Sequence, residues 1–160
     1  MDSAAKNDDR ASRGENYRLG DWSEKGTIEL TASGADAASV VTAALKGVLA
    51  VAGDDRTDSG RVDDAASSSA AIRGQGASLA SLFAELAADL LAQLDANGRG
   101  LNQLRLDGLL DTDDGYTAWG YLVGTARLDP PPIGLALDDD PIVTEANGEM
   151  TLRCRLRRTA

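Results

Sequence analysis

In Ser78-Leu79-Ala80-Ser81-Leu82-Phe83-Ala84-Glu85-Leu86-Ala87-Ala88-Asp89-Leu90-Leu91-Ala92-Gln93-Leu94, the large apolar residues recur at steps of three and four. Leu79, Leu82, Phe83, Leu86, Leu90, Leu91 and Leu94 therefore share one face of a helix, with Glu85, Asp89 and Gln93 off it. Ser78 is placed to cap the first turn, and Asn97-Gly98 supplies a stop. A stripe of this length must be covered, so the rest of the chain has to provide a packing surface.

Working outward toward the N-terminus, Ala71-Ile72-Arg73-Gly74 reads as a short strand. The stretch from Arg56 to Ser69 is rich in Asp, Ser and Gly and reads as a surface loop. Val40, Val41, Ala44, Leu45, Val48 and Leu49 form a second helical face, which Gly53-Asp54-Asp55 ends. Before it, Thr27-Ile28-Glu29-Leu30-Thr31-Ala32 alternates polar and apolar as a half-buried strand does. Tyr17 to Trp22 reads as a short strand or arm. Residues 1–16 lack apolar periodicity and are expected to be a flexible tail.

Toward the C-terminus, Leu101, Leu104 and Leu106 predict a strand running to about Leu110, and Tyr116 to Leu128 a longer one. Asp111-Thr112-Asp113-Asp114-Gly115 joins them as a hairpin turn. Pro130-Pro131-Pro132 opens an extended loop, and Pro141 to Thr144 reads as a short strand. After the Asn147-Gly148 turn, Met150, Leu152, Cys154 and Leu156 alternate with Thr151, Arg153, Arg155 and Arg157, giving a closing strand with one basic face. Two helices among several strands, with hairpins at the end, predict an α+β fold. The expected architecture is a single compact domain over residues 17–160, its mixed or antiparallel sheet carrying two main helices.

Composition narrows the chemistry. The 160 residues include no histidine and one cysteine, and the net charge is −10. Without imidazole there is no Ser-His-Asp or Cys-His arrangement and no histidine metal ligand. Cys154 alone forms neither an intramolecular disulfide nor a cysteine metal cluster. The acidic balance, with no basic stripe, argues against direct nucleic-acid binding through phosphates. No apolar run reaches the roughly 20 residues of a membrane span, and no leader pattern opens the chain. The expected compartment is the cytoplasm, and the expected activity is binding rather than catalysis.

Of the motifs that carry chemistry, the Asp111, Asp113, Asp114 turn fails as a calcium loop, because Tyr116 and Leu122 stand where glycine and a bidentate acid are needed. Gly74-Gln75-Gly76 is too short to cradle a phosphate. Asp138-Asp139-Asp140 reads as a solvated acidic loop. Arg153, Arg155, Arg157 and Arg158 could form a small anion-binding face, but read better as partners for carboxylates or as guards on an edge strand. Trp119, within an apolar strand, is expected in the core.

The order of segments resembles the archease family, over about Tyr17 to the C-terminus. The likeness is carried by Ile72-Arg73-Gly74 followed by Leu79-x-x-Leu82-Phe83-x-x-Leu86-Ala87-Ala88-Asp89-Leu90-Leu91. There archeases have a strand ending in glycine and a helix with a Trp-Leu-Asn-Glu-Leu-Leu core. Leu86 stands for the tryptophan, Ala88 for the asparagine and Asp89 for the glutamate. Gly34 through Asp54 is similar to the family's first helix with its leading glycine and trailing aspartate.

The resemblance implies an archease-like fold and a small accessory protein that activates a tRNA-splicing RNA ligase, aiding its guanylylation and turnover. It also implies a metal-binding acidic cluster, part of it a His-Thr-Ala-Asp stretch before the first strand and part an aspartate on the last strand. Here Glu24-Lys25-Gly26-Thr27 replaces the former, and Arg155 to Arg158 stand where the latter is expected. No resident cofactor is expected beyond a weakly held divalent cation, for which the candidate ligands are Glu24, Asp54, Asp55, Asp138, Asp139 and Asp140. Two functions stay open: a divergent accessory factor of an RNA ligase, and an interaction module without a metal and with an unrelated protein partner.

Overall fold

A computed structural model describes residues 16–53 and 67–159. Residues 1–15 of the predicted 1–16 tail, most of the predicted loop and the candidates Asp54 and Asp55 lie outside the described residues. Asn16 belongs to the domain, since its carbonyl accepts a hydrogen bond from the Ser33 N–H at 2.9 Å.

In chain order the elements are β1 (Tyr17–Leu19), β2 (Thr27–Gly34), α1 (Ala37–Ala52), β3 (Ser67–Gly76), α2 (Leu79–Asn97), β4 (Gln103–Thr112), β5 (Gly115–Thr125), β6 (Leu135–Leu137), β7 (Ile142–Ala146) and β8 (Glu149–Arg158). The α+β class holds, with one correction. The strands form two separate sheets, and every pairing in them is antiparallel. One sheet runs β1-β2-β8-β6 with β7 also on β8, and the other runs β3-β5-β4. Strand β8 is thus internal, flanked by β2 on one side and by β6 and β7 on the other. Its arginines do not guard an edge.

The helices join the two sheets through a shared core. Helix α1 packs on β2 and also on β4, while α2 lies along β3 and touches α1. Val40, Val41, Ala44, Leu45 and Val48 of α1 and Leu82, Phe83, Leu86, Leu90 and Leu94 of α2 are buried, as their spacing predicts. Ile28, Leu30 and Ala32 of β2 and Leu152, Cys154 and Leu156 of β8 meet them. Gly47 lets α1 approach β2 closely, because a Cβ there would collide with the Leu30 side chain. No polar or charged residue is buried among the described residues.

Local chemistry fixes the element ends. The Asp36 carboxylate caps α1 by accepting from the Ser39 N–H at 2.8 Å, a bond that holds its carboxyl below the usual range. Ser78 and Ser81 form a reciprocal box at the start of α2, each accepting from the other's backbone N–H at 3.1 Å. Asn147 and Gly148 both take positive φ (55° and 78°), as a tight β7–β8 hairpin requires.

Two elements and one residue differ from expectation. Strand β3 begins at Ser67, inside the predicted loop, because pairing with β5 overrides its Ser- and Ala-rich composition. Strand β6 is three residues after the proline run and exists through its pairing with β8. Trp119 is not in the core. Ala118 and Leu122 face inward, so Trp119 points outward and is 39% exposed. Among the described residues, no helix is long and apolar enough to cross a membrane.

Candidate functional site: an arginine among three carboxylates

Alternation along β2 and β8 sends Ile28, Leu30, Leu152, Cys154 and Leu156 inward and leaves Glu29, Arg153, Arg155 and Arg157 on the outer face. The register sets Glu29 directly opposite Arg155. The loop after β6 is tied to the same place, since the Asp138 N–H donates to the Arg155 carbonyl at 2.8 Å. Strand pairing and this loop therefore bring acidic side chains from two distant segments onto one arginine.

The Arg155 guanidinium engages three carboxylates. Its Nη1 lies 3.2 Å from Asp139 Oδ2 and 3.4 Å from Asp138 Oδ2, and its Nη2 lies 3.6 Å from Glu29 Oε2. Arg157 adds a second cation, its Nε 3.5 Å from Asp138 Oδ1. The cluster is wet: the Arg155 side chain is 40% exposed, so each pair contributes little to stability by itself. Its specificity comes from geometry, because one planar group satisfies acids arriving from β2 and from the β6–β7 loop.

The candidate ligands separate accordingly. Asp138 and Asp139 are drawn together and held by arginine. Asp140 lines a small cleft of about 140 Å³ with Glu29, Asp139, Arg153 and Arg155. Glu24 is exposed in the turn before β2, without a hydrogen bond or ion pair to this cluster. Among the described residues no three acidic or sulfur side chains converge in a metal-holding arrangement. A divalent ion needs several free oxygens and enough negative charge to offset its dehydration. Here two guanidinium groups offset two of the three carboxylates, so the described donor set does not fit the cation that the resemblance implies.

Glu29 escaped the sequence reading. Its outward place in the β2 alternation was visible, but its pairing with Arg155 depends on a register that spans the whole chain. At the end of the same two strands, the Arg158 guanidinium stacks 3.9 Å over the Trp22 ring, pinning the segment before β2. Cys154 faces the core, and burial pushes its thiol up to about 12, so it is no nucleophile at neutral pH.

The chain matches no family model and no curated protein. Among solved structures, it is similar to protein 1598 of Methanobacterium thermoautotrophicum, determined in solution. The TM-score is 0.58 at 18% identity, covering 89% of this chain and 98% of that one. The likeness shows a common fold across nearly the whole of that protein.

Proposed function

We infer that the chain is a non-catalytic accessory protein of archease-like type, acting on a partner protein and carrying an arginine-centred cluster of acids on the outer face of its five-stranded sheet. The observation that carries this reading is the single guanidinium ion-paired with Glu29, Asp138 and Asp139. A cluster closed in this way neither polarises a substrate nor activates a water, yet it holds the β6–β7 loop in one place against β8. The lack of imidazole and the deep, inert position of Cys154 agree with a binding role.

The partner in this reading is a tRNA-splicing-type RNA ligase, on the strength of the segment order and the α2 pattern described above. The test is multiple-turnover ligation by that enzyme from the same organism, with and without the chain at substoichiometric ratio. A several-fold rise in turnover number is the expected result. If turnover is unchanged and the two proteins do not associate, the ligase assignment falls. The second reading, a metal-free module with an unrelated partner, would then stand on the same cluster.

A further inference from the structure

The outer face of the three-stranded sheet, remote in topology from the Arg155 cluster, carries an aromatic pair. Thr117, Trp119 and Tyr121 alternate with inward Ala118, Gly120 and Leu122 on β5, the middle strand. Trp119 is 39% and Tyr121 41% exposed. Two residues apart on one strand, their Cα atoms are spaced by about 7 Å. The register puts Arg73 of β3 beside Trp119 and Arg105 of β4 beside Tyr121, one guanidinium on each flank. Arg73 has no ion pair among the described residues. Arg73, Trp119 and Tyr121 line an open concavity of about 670 Å³.

Trp119 has a structural duty on this face. A bulge between Leu106 and Gly108 brings Gly108 opposite it, and a Cβ on Gly108 would run into the indole. The ring thus covers a bare glycine with one side. That duty accounts for a large side chain at Trp119. It does not call for a second exposed ring at Tyr121 or for arginines on both flanks.

The geometry points to a stacking platform for an extended single-stranded nucleic acid. Two successive bases lie on Trp119 and Tyr121, with phosphates reached by Arg73 and Arg105. In a chain of net charge −10, Arg73 and Arg105 offset Glu85 and Asp107 and leave this face close to neutral, so exposed rings here meet an anionic strand with flat bases without the repulsion of the acidic surface. The acidic balance of the whole chain argues against binding that rests on phosphates, and this face does not rest on them. Asp107 lies 3.8 Å from Arg105 Nε, and Glu85 borders the concavity, so stacking supplies most of the affinity. This inference is independent of the ligase reading, because it uses a different sheet and needs no partner protein.

Fluorescence anisotropy of a labelled oligouridylate decamer, titrated with the full chain at low salt, tests it. Saturable binding is expected, with a salt slope of roughly −0.7 for each of one or two phosphate contacts. Tyr121→Ser and Trp119→Leu should each weaken binding about fivefold or more. Trp119→Leu keeps apolar cover over Gly108, and Tyr121→Ser changes an exposed side chain, so a thermal melt on each confirms folding. Arg73→Gln should flatten the salt slope by about one contact. The proposal is overturned if binding fails to saturate by about 100 µM, or if both ring variants bind as the parent does. Equal affinity for uridine monophosphate and the decamer overturns it in favour of a mononucleotide site. A dimer in sedimentation that Tyr121→Ser dissolves overturns it in favour of self-association.

Discussion

Asp89 Oδ2, on α2, accepts a hydrogen bond from the backbone N–H of Arg73 on β3 at 3.0 Å. One helical turn earlier, Glu85 Oε1 accepts from the Gln75 N–H at 3.1 Å. Four helical residues rise about 6 Å, close to the roughly 6.6 Å between alternate strand residues, so residues i and i+4 of α2 meet residues i and i+2 of β3 in reverse order. These N–H groups belong to the free edge of β3, whose other side is paired with β5. The two carboxylates satisfy that edge with side chains, and the three-stranded sheet ends there.

Asp89→Ala should therefore destabilise the fold by about 1–2 kcal/mol, the range for losing a hydrogen bond to a charged acceptor at a partly solvated site. Asp89→Asn keeps an acceptor oxygen and should cost less than half as much. Urea melts with unchanged m-values measure both. An alanine variant as stable as the parent would show that water serves this edge equally well.

The α2 stripe makes a second expectation. Leu86 is fully buried, and a Cβ added at Gly74 would lie 3.2 Å from its Cγ and 3.1 Å from its backbone nitrogen. Leu86→Ala should cost about 2–5 kcal/mol through the cavity it leaves. Gly74→Ala should cost about 1–3 kcal/mol through overpacking in the same spot. Losses well under 1 kcal/mol in denaturant would contradict the packing of α2 on β3.

What could be read beforehand is what local pattern encodes. The period of α2, the alternation of β2 and β8, the Ser78 cap and the Asn147-Gly148 turn each act within a few residues, and each appears in the fold. Division into two sheets is set by long-range strand pairing that no local pattern encodes, and the role of Glu85 and Asp89 at the β3 edge is equally hidden, since acids off an apolar stripe look merely solvated. Trp119 was misplaced because its strand reads as continuously apolar; parity is set by the burial of Ala118 and Leu122, and the bulge before Gly108 makes room for the ring. In the candidate site, the pairing of arginines with acids was legible as chemistry. Which acids they meet was not, since Glu29 and Asp138 are brought to Arg155 by register and by a loop after the unforeseen β6.

Cys154 offers a pH test. Burial raises its thiol from an ordinary 9.0 to about 12. An acid whose folded pKa is raised stays neutral in the fold while the unfolded chain ionises. Its contribution is therefore complete below pH 9 and declines as pH rises from about 9 toward 12. Between pH 8 and pH 10, the parent should lose more stability than Cys154→Ala, as read from paired urea melts. At pH 8 the native thiol should react with Ellman's reagent only as fast as the protein opens. Rapid labelling of native protein would contradict its burial.

The Arg155 cluster decides how the chain meets cations. Glu29, Asp138 and Asp139 approach Arg155 from β2 and the β6–β7 loop, and acids brought to one face in this way need a counter-charge. The guanidinium supplies it with a fixed, covalently tethered cation, which an incoming ion would have to displace or approach against its charge. Chelator-stripped parent protein should accordingly give no stoichiometric calcium or magnesium site of micromolar affinity in isothermal titration. Arg155→Met keeps the aliphatic stem against the sheet and removes only the charge. Because the pairs are solvated, the variant should lose less than about 1 kcal/mol in stability. Glu29, Asp138 and Asp139 do not form a metal-holding set in the parent, and Arg157 stays on Asp138, so any calcium binding gained by reorientation of these acids should fall in the weak range of about 10⁻⁴–10⁻³ M, where few-ligand flexible sites fall. Adding Glu29→Gln to Arg155→Met should then weaken that gained site. Micromolar binding by the parent would mean that the arginine does not close the cluster, and an Arg155→Met variant that gains nothing would mean that the three carboxylates do not converge without it.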